Sequence, residues 1–273
     1  MVLFYQKVVK LSLVKNNSFI IKNNSFNPLV VIDDYCQFSG GKKSEVIEKI
    51  KKSIEIASKT WEKTVPKKNT KNLEKFYASK TYIYDLLDAF YDFEKTNKIK
   101  TCLDIVRFIK RKKAKKVLEF GGGTGQLCLL LHFNTDASVS YLDLPGNTFE
   151  LAKWRFKKYK APISLIKGQI NADEIAHSPF DVIVSDAVLE HVPNLQKTIK
   201  LLKKSLKLPG YLYLLFDPDF GKKRPMHLCK ITDFYNILKK EGFIRIGEYI
   251  WTNEKSLENS LKEKVLAFKK CLK

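Results

Sequence analysis

The stretch KVLEFGGGTGQLCLLL, Lys116 to Leu131, packs four glycines into a five-residue window between an apolar run and what reads as an amphipathic helix. A strand, a tight turn and a helix in that order bring the unpaired N–H groups of a helix start to the carboxyl end of a parallel strand, a place suited to hydrogen-bond acceptors and negative charge. Spacing then narrows the ligand. A phosphate-cradling loop needs GxxxxGK[ST], and no Lys-Ser or Lys-Thr follows these glycines, so an ATPase reading fails. A dinucleotide turn needs GxGxxG or GxGxxA, and counted from Gly121 the sixth position is Gln126. What fits is an acid followed by alternate glycines: Glu119, Gly121, Gly123 and Gly125, with Gly122 between them.

Working outward, short β-rich runs alternate with helical ones from Lys115 on, the pattern of βαβ units around a parallel sheet. Strands are predicted at 116–120, 138–143, 163–166, 180–185, 210–216, 243–251 and 264–272, with helices at 125–133, 147–159, 170–176, 194–207 and 231–241. The fold class is therefore α/β, with a seven-stranded, mostly parallel sheet covered by helices on both faces and an antiparallel, hairpin-like ending. In the helix at 194–207, Leu195, Ile199, Leu202 and Leu206 share one face and five lysines take the other, as expected of a helix covering a sheet. Before the sheet, residues 1 to about 37 read as short strands or an extended arm, and residues 44 to about 111 as helices. The chain thus divides into an extension, 1–100, for acceptor selection or oligomerisation, and an α/β domain, 101–273.

The formal charge of +21 raises nucleic-acid binding as a candidate property. Only five of the 50 basic residues are arginine, however, and the lysines are spread along the whole chain. Dedicated readers of phosphate and bases lean on arginine forks, so nucleic acid is not the favoured partner. The five cysteines are odd in number, far apart and never arranged as CxxC, which argues for a reducing, cytoplasmic setting without a structural zinc site. No apolar run is long enough for a transmembrane helix, and the N-terminus reads as a poor secretion signal. The sequence leaves the oligomeric state open, and a homo-oligomer is compatible with it.

The segment from Glu119 to Gly125 resembles motif I of the class I, Rossmann-like methyltransferases that use S-adenosylmethionine (SAM), and further segments match that family in order. Asp143 ends the second strand in SYLDLPG; FDVIVSDAVLEHVPN (180–194) resembles the family's segment at strand four; KSLKLPGYLYLLF (204–216) resembles the strand that follows; and PMHLCKITDFYNILKKEGF (225–243) resembles the stretch after strand five. The resemblance covers roughly residues 101–273. It implies SAM as cofactor, S-adenosylhomocysteine as product, and a glycine turn passing beneath the methionine and ribose. It also implies that Glu119 orients the amino-acid end, that Asp143 accepts from the ribose hydroxyls beside Leu144, that Gln169 and Ile170 meet the adenine, and that Ser185 and Asp186 border the site after strand four.

A sulfonium is already an activated methyl donor, so the enzyme mainly aligns acceptor, methyl carbon and sulfur. An alcohol acceptor must also lose a proton, and a placed histidine can take it. Of the four histidines, His132 and His177 read as structural or exposed, while His191 and His227 fall at the carboxyl ends of strands four and five. Some quinone-pathway O-methyltransferases resembling this pattern place a metal on Glu-x-x-Glu-His. Here Ala187 stands at the first glutamate, which leaves Asp186, Glu190 and His191 as weak metal candidates and no metal as the expectation. The leading expectation is O-methylation of a small polar metabolite such as a sugar or nucleotide-sugar, with Phe220, Lys222, Lys223 and Arg224 suited to an anionic acceptor. The alternatives are an RNA or protein methyltransferase and a noncatalytic SAM-fold subunit.

Overall fold

The computed structural model describes residues 30–66, 69–91, 98–168, 179–217 and 224–254. Among these, six helices precede the first strand: α1 (Val31–Ser39), α2 (Lys43–Lys51), α3 (Ser53–Thr64), α4 (Thr70–Tyr77), α5 (Ile83–Tyr91) and α6 (Lys98–Lys112). The α/β part follows as β1 (Lys116–Phe120), α7 (Gln126–Asn134), β2 (Ser138–Asp143), α8 (Asn147–Lys158), β3 (Ser164–Lys167), β4 (Phe180–Asp186), α9 (Leu195–Lys204), β5 (Leu206–Leu215), α10 (Ile231–Lys240), β6 (Ile244–Arg245) and β7 (Ile250–Thr252). The sheet runs β3-β2-β1-β4-β5-β7-β6. Its first five members are parallel, and β7 is antiparallel to both β5 and β6.

Side chains alternate across the strands and divide the core between two faces. Val117, Val139, Tyr141, Val182 and Val184 pack with α6, α7 and α8, whereas Leu118, Phe120, Leu142, Ile183 and Leu212 pack with α9 and α10 and with α3 and α4 of the lead-in. The crossover helices therefore cover both faces, as a parallel sheet requires. Helix α7 departs from the expected amphipathic pattern: Leu127, Cys128, Leu129, Leu130 and Leu131 are all buried, because this short helix is enclosed on every side.

Three further expectations are corrected. Residues 31–37 belong to helix α1 and not to a strand or arm: Val31, Asp34 and Tyr35 are buried at helical spacing. The predicted strand 243–251 is two short strands, since the chain turns back at Gly247, where the Ile246 amide donates to the Ile250 carbonyl. That turn supplies both of the last two strands, and the predicted strand 264–272 lies outside the described residues, as does the predicted helix 170–176. The helix expected at 194–207 stops at Lys204, and Leu206 already belongs to β5, which pairs with β4 from Phe180.

Helix α1 is fastened by a buried ion pair. Arg155 of α8, with no exposed surface, donates from Nε to Asp34 Oδ2 (2.8 Å), from one terminal nitrogen to the Thr124 carbonyl (2.7 Å) and from the other to Gln126 Oε1 (2.6 Å). Lys158 and the Tyr159 hydroxyl complete the shell around Asp34. One side chain thus joins the first described helix to the glycine turn and the start of α7. Removing one partner of such a pair strands the other charge in the core. Asp34→Ala is therefore expected to lower unfolding free energy by about 3–5 kcal/mol, measured by urea denaturation; a loss near that of a surface substitution would show that Arg155 does not depend on it.

Candidate active site

The glycine turn leaves β1 with the amides of Gly121 and Gly122 both donating to the Leu142 carbonyl at the end of β2. Gly121 has φ of 75°, and a Cβ there would lie 2.4 Å from Val188, so both conformation and space demand glycine. Gly123, with φ of 53°, has no such neighbour closer than Leu86 at 3.7 Å, and its open side faces the cleft.

Asp143 is bound into this turn. Its Oδ2 accepts from the Gly123 amide and its Oδ1 from the Leu144 amide, each at 2.7 Å, while Tyr141 donates its hydroxyl to the Gly123 carbonyl (2.8 Å). Burial pushes the Asp143 carboxyl up to about 6 despite these backbone donors. Its remaining lone pairs face an apolar lobe of about 670 Å³, lined also by Phe120, Leu142, Leu144, Val188 and Val192.

A second lobe of about 890 Å³ adjoins the first, sharing Tyr82, Leu86, Gly121, Gly123, Asp186, Ala187 and His191 with it. The second lobe is polar and acidic. Five carboxyl groups line it among the described residues, Asp85, Glu119, Asp186, Glu190 and Asp217, against the two cations Lys98 and Arg224. Glu119 projects toward α7 and accepts from the Cys128 amide (3.0 Å); burial pushes its carboxyl up to about 8. Lys98, from the first turn of α6, reaches Asp186 at 2.7 Å; burial opposes its charge, but the Asp186 carboxylate outweighs that and raises its pKa. A cation and two acids at the glycine turn are what an amino acid's carboxylate and ammonium ends call for.

At the far wall, Leu189–His191 forms a single 3₁₀ turn after β4. Glu190 is fully buried, and its Oε1 accepts from the Asp217 amide (3.0 Å); burial pushes it up to about 8. His191 Nδ1 lies 3.2 Å from the Met226 carbonyl, and its ring meets that of His227 edge-on at 4.8 Å. Burial, reinforced by His227, pulls His191 down to about 3, so it stays neutral across the physiological range. Arg224 grips both oxygens of Asp85 at 3.0 Å, tying the segment after β5 to α5.

The roof over both lobes comes from the lead-in. Tyr77, Tyr82 and Leu86 face the cleft, and the roof is seated on the turn after β2, where Asn147 donates to the Ala78 carbonyl (2.9 Å). Gly146 permits that seat, because a Cβ there would lie 2.6 Å from Ala78 Cα.

Glu119, Gly121, Gly122, Gly123, Asp143, Leu144, Asp186, His191 and His227 all line the two lobes. Gly125 instead packs on Phe156 and opens α7, and Ser185 is fully buried within β4, away from the cleft wall. Gln169, Ile170, Phe220, Lys222 and Lys223 lie outside the described residues. Asp186 is engaged by Lys98, and Glu190 and His191 are grouped with His227. Tyr77, Tyr82, Asp85 and Lys98 went unnoticed in the sequence; a lysine starting a helix among 50 basic residues carries no signal.

A glycine turn after β1, a carboxylate ending β2 and this strand order define a Rossmann-like nucleoside-binding enzyme of the methyltransferase class. A family model described as a methyltransferase domain matches residues 94–243, more than half of the chain, and the chain belongs to that family, whose class I members use SAM. The malonyl-[acyl-carrier protein] O-methyltransferase of Paenibacillus sp. is 32% identical over 139 residues, covering 48% of this chain and 50% of that protein. The ubiquinone biosynthesis O-methyltransferase of Pectobacterium atrosepticum is 24% identical over 157 residues, 56% of this chain and 63% of that one. The chain therefore spans about half the length of the first relative and under two thirds of the second. Among solved structures, phosphoethanolamine N-methyltransferase 2 of Haemonchus contortus, in complex with phosphomonomethylethanolamine and S-adenosylhomocysteine, is similar with a TM-score of 0.42 at 20% identity, covering 48% of this chain and 33% of that one. No helix among the described residues is long and apolar enough to cross a membrane.

Two outcomes are expected. Asp143→Ala should weaken SAM binding by about 1.5–3 kcal/mol, the worth of hydrogen bonds to a charged group; calorimetric titration giving the parental affinity would remove Asp143 from the ribose. Glu119 holds its proton up to about pH 8 in the fold against 4.5 for the ordinary carboxyl. A raised carboxyl pKa gives stability that is complete below the unfolded value and lost as pH rises through the folded one. The melting temperature of the ligand-free chain should accordingly fall between those limits, and Glu119→Gln should flatten the fall; parallel curves would show that Glu119 does not titrate there.

Proposed function

We propose that the chain is a SAM-dependent O-methyltransferase acting on a small, uncharged polar acceptor. The observation that carries this reading is that one cleft joins the glycine turn and Asp143 at one end to an edge-on imidazole pair, His191 and His227, at the other. In this reading the nucleoside occupies the apolar lobe with its ribose on Asp143. The methionine end meets Glu119, Lys98 and Asp186, and the methyl group points toward the histidines. Transfer needs alignment and exclusion of water more than covalent help, which the roof of Tyr77, Tyr82 and Leu86 supplies. The histidines serve the acceptor end, where an alcohol must shed its proton.

The extension, residues 1–100, selects the acceptor in this account, since its described helices form the roof. Two relatives named as O-methyltransferases support oxygen as the acceptor atom. A neutral sugar remains within the proposal. Among the described residues the second lobe sets Asp85, Asp186 and Asp217 against Lys98 and Arg224, with burial favouring the protonated forms of Glu119 and Glu190, so it offers no excess of positive charge for a nucleotide-sugar or other anion. With only five arginines among 50 basic residues, the chain is poorly supplied with the forks that read RNA phosphates and bases.

Incubation with SAM carrying a labelled methyl group should label an oxygen of a neutral hydroxyl compound from a panel that also holds nucleotide sugars, malonyl thioesters and RNA. Label confined to RNA would overturn the reading. His227→Ala should lower turnover by about 100-fold or more while SAM affinity stays at the parental level; unchanged turnover would take His227 out of the acceptor end.

A further inference from the structure

The cleft lies at the end of the sheet where the parallel strands finish. The opposite end, where they begin, carries the densest run of charge in the chain. Lys110, Arg111, Lys112, Lys113, Lys115 and Lys116 are six basic residues in seven positions, all of them exposed, and the seventh, Ala114, is buried.

Ordinary roles account for part of this run. Basic side chains in the last turn of a helix complement its dipole, and Lys110, Arg111 and Lys112 close α6. Lys112 also lies over the Tyr211 ring, 4.1 Å from its centre. Neither role reaches the rest. Lys113 follows the helix with φ of 50°, in the left-handed position that glycine usually fills. Its amide donates to the Lys110 carbonyl (3.0 Å) and that of Ala114 to the Ile109 carbonyl (3.2 Å), which fixes the stop. Lys115 and Lys116 then lead into β1, whose next four residues are all buried. Helix α8 ends in the same way, with exposed Lys160 at φ of 51° before β3. Two helices on one face of the sheet thus present lysine where glycine is the easier residue, at the same end of the molecule.

Asp181 draws a third element alongside. Its Oδ2 accepts from the amides of Lys115 and Lys116 and its Oδ1 from the Lys207 ammonium, each at 2.7 Å. That carboxylate is thereby occupied, while the ammonium groups of Lys113, Lys115 and Lys116 have no ion pair among the described residues. Next to Lys207 stands Leu208, 76% exposed, the most exposed large apolar side chain among the described residues.

We propose that this end of the molecule docks on an anionic phospholipid bilayer, with the lysines at the headgroups and Leu208 entering the acyl boundary. Charge complementarity selects the occupant. Lysine is a point charge suited to a diffuse anionic surface, whereas RNA is read through arginine forks, of which the run supplies one, Arg111. A protruding leucine finds a solvent of its own kind only in lipid. The remaining chain does not neutralise the patch. Thr252 and Asn253, bonded to the carbonyls of Gly210 and Lys207, lead out at this same end, and residues 255–273 carry six lysines against two glutamates. Docking here leaves the cleft facing water, open to cofactor and acceptor. The inference is independent of the proposed function.

The test is co-sedimentation of the full chain with vesicles of phosphatidylcholine alone and of phosphatidylcholine mixed with phosphatidylglycerol. Binding is expected to the mixed vesicles only, falling as salt rises. Lys113→Gln, Lys115→Gln and Lys116→Gln combined should lower partition roughly 100-fold, since each lysine near an anionic surface strengthens binding about fivefold. Lys51→Gln, Lys52→Gln and Lys63→Gln combined, an equal loss of charge from exposed positions of the lead-in, should lower it far less. Leu208→Ser should lower it about 10-fold. Circular dichroism and SAM affinity should match the parent in every variant. No binding to mixed vesicles, equal losses in the two triple variants, or Leu208→Ser at the parental partition would each overturn the surface. An RNA oligonucleotide that binds the parent when vesicles do not, and is lost in the first triple variant, would overturn it in favour of nucleic acid. Vesicle binding by a chain that takes no SAM would fail the proposed function and leave the surface standing.

Discussion

A guanidinium with no exposed surface must have all its bonding supplied by the protein, and Arg155 draws on two distant stretches of the chain. Asp34 comes from the first described helix, Thr124 from within the glycine turn and Gln126 from the start of α7. The demand of one buried charge thereby ties the glycine turn to a helix more than a hundred residues earlier. Gln126, whose presence in the sequence speaks against a dinucleotide turn, holds a positive bond to Arg155 in the structure.

Local spacing made the α/β half legible. Glu119, the alternate glycines and Asp143 sit on strands and turns whose patterns are complete within a few residues, and their arrangement follows once the strands are parallel. The lead-in was less readable because its decisive partners are remote. Asp34 and Arg155, Lys98 and Asp186, and Asp85 and Arg224 pair across 121, 88 and 139 residues. Only the rarity of arginine marks any of them: two of the five arginines, Arg155 and Arg224, are those that grip buried or half-buried aspartates. Residues 31–37 misled through composition, since β-branched residues and tyrosine suggest a strand, whereas a buried Asp34 between Val31 and Tyr35 needs the helical repeat to bring all three to one face. Gly247 was the unread signal in the stretch taken as one long strand.

The two lobes divide the binding problem by solvent chemistry. The apolar lobe can accept a flat base and sugar with a single carboxylate to set their orientation, while the second lobe keeps five carboxyl groups close together. Burial holds Glu119 and Glu190 near pH 8, so much of that acidity is latent until a cation arrives.

The charge of the exterior then acquires a kinetic meaning. SAM carries one net positive charge, and a chain of formal charge +21 repels it at long range, whereas the demethylated product is neutral. Added salt shortens the reach of that repulsion to about 8 Å at physiological ionic strength. Capture of the cofactor by this chain consequently quickens as salt rises, while departure of the neutral product is indifferent to it.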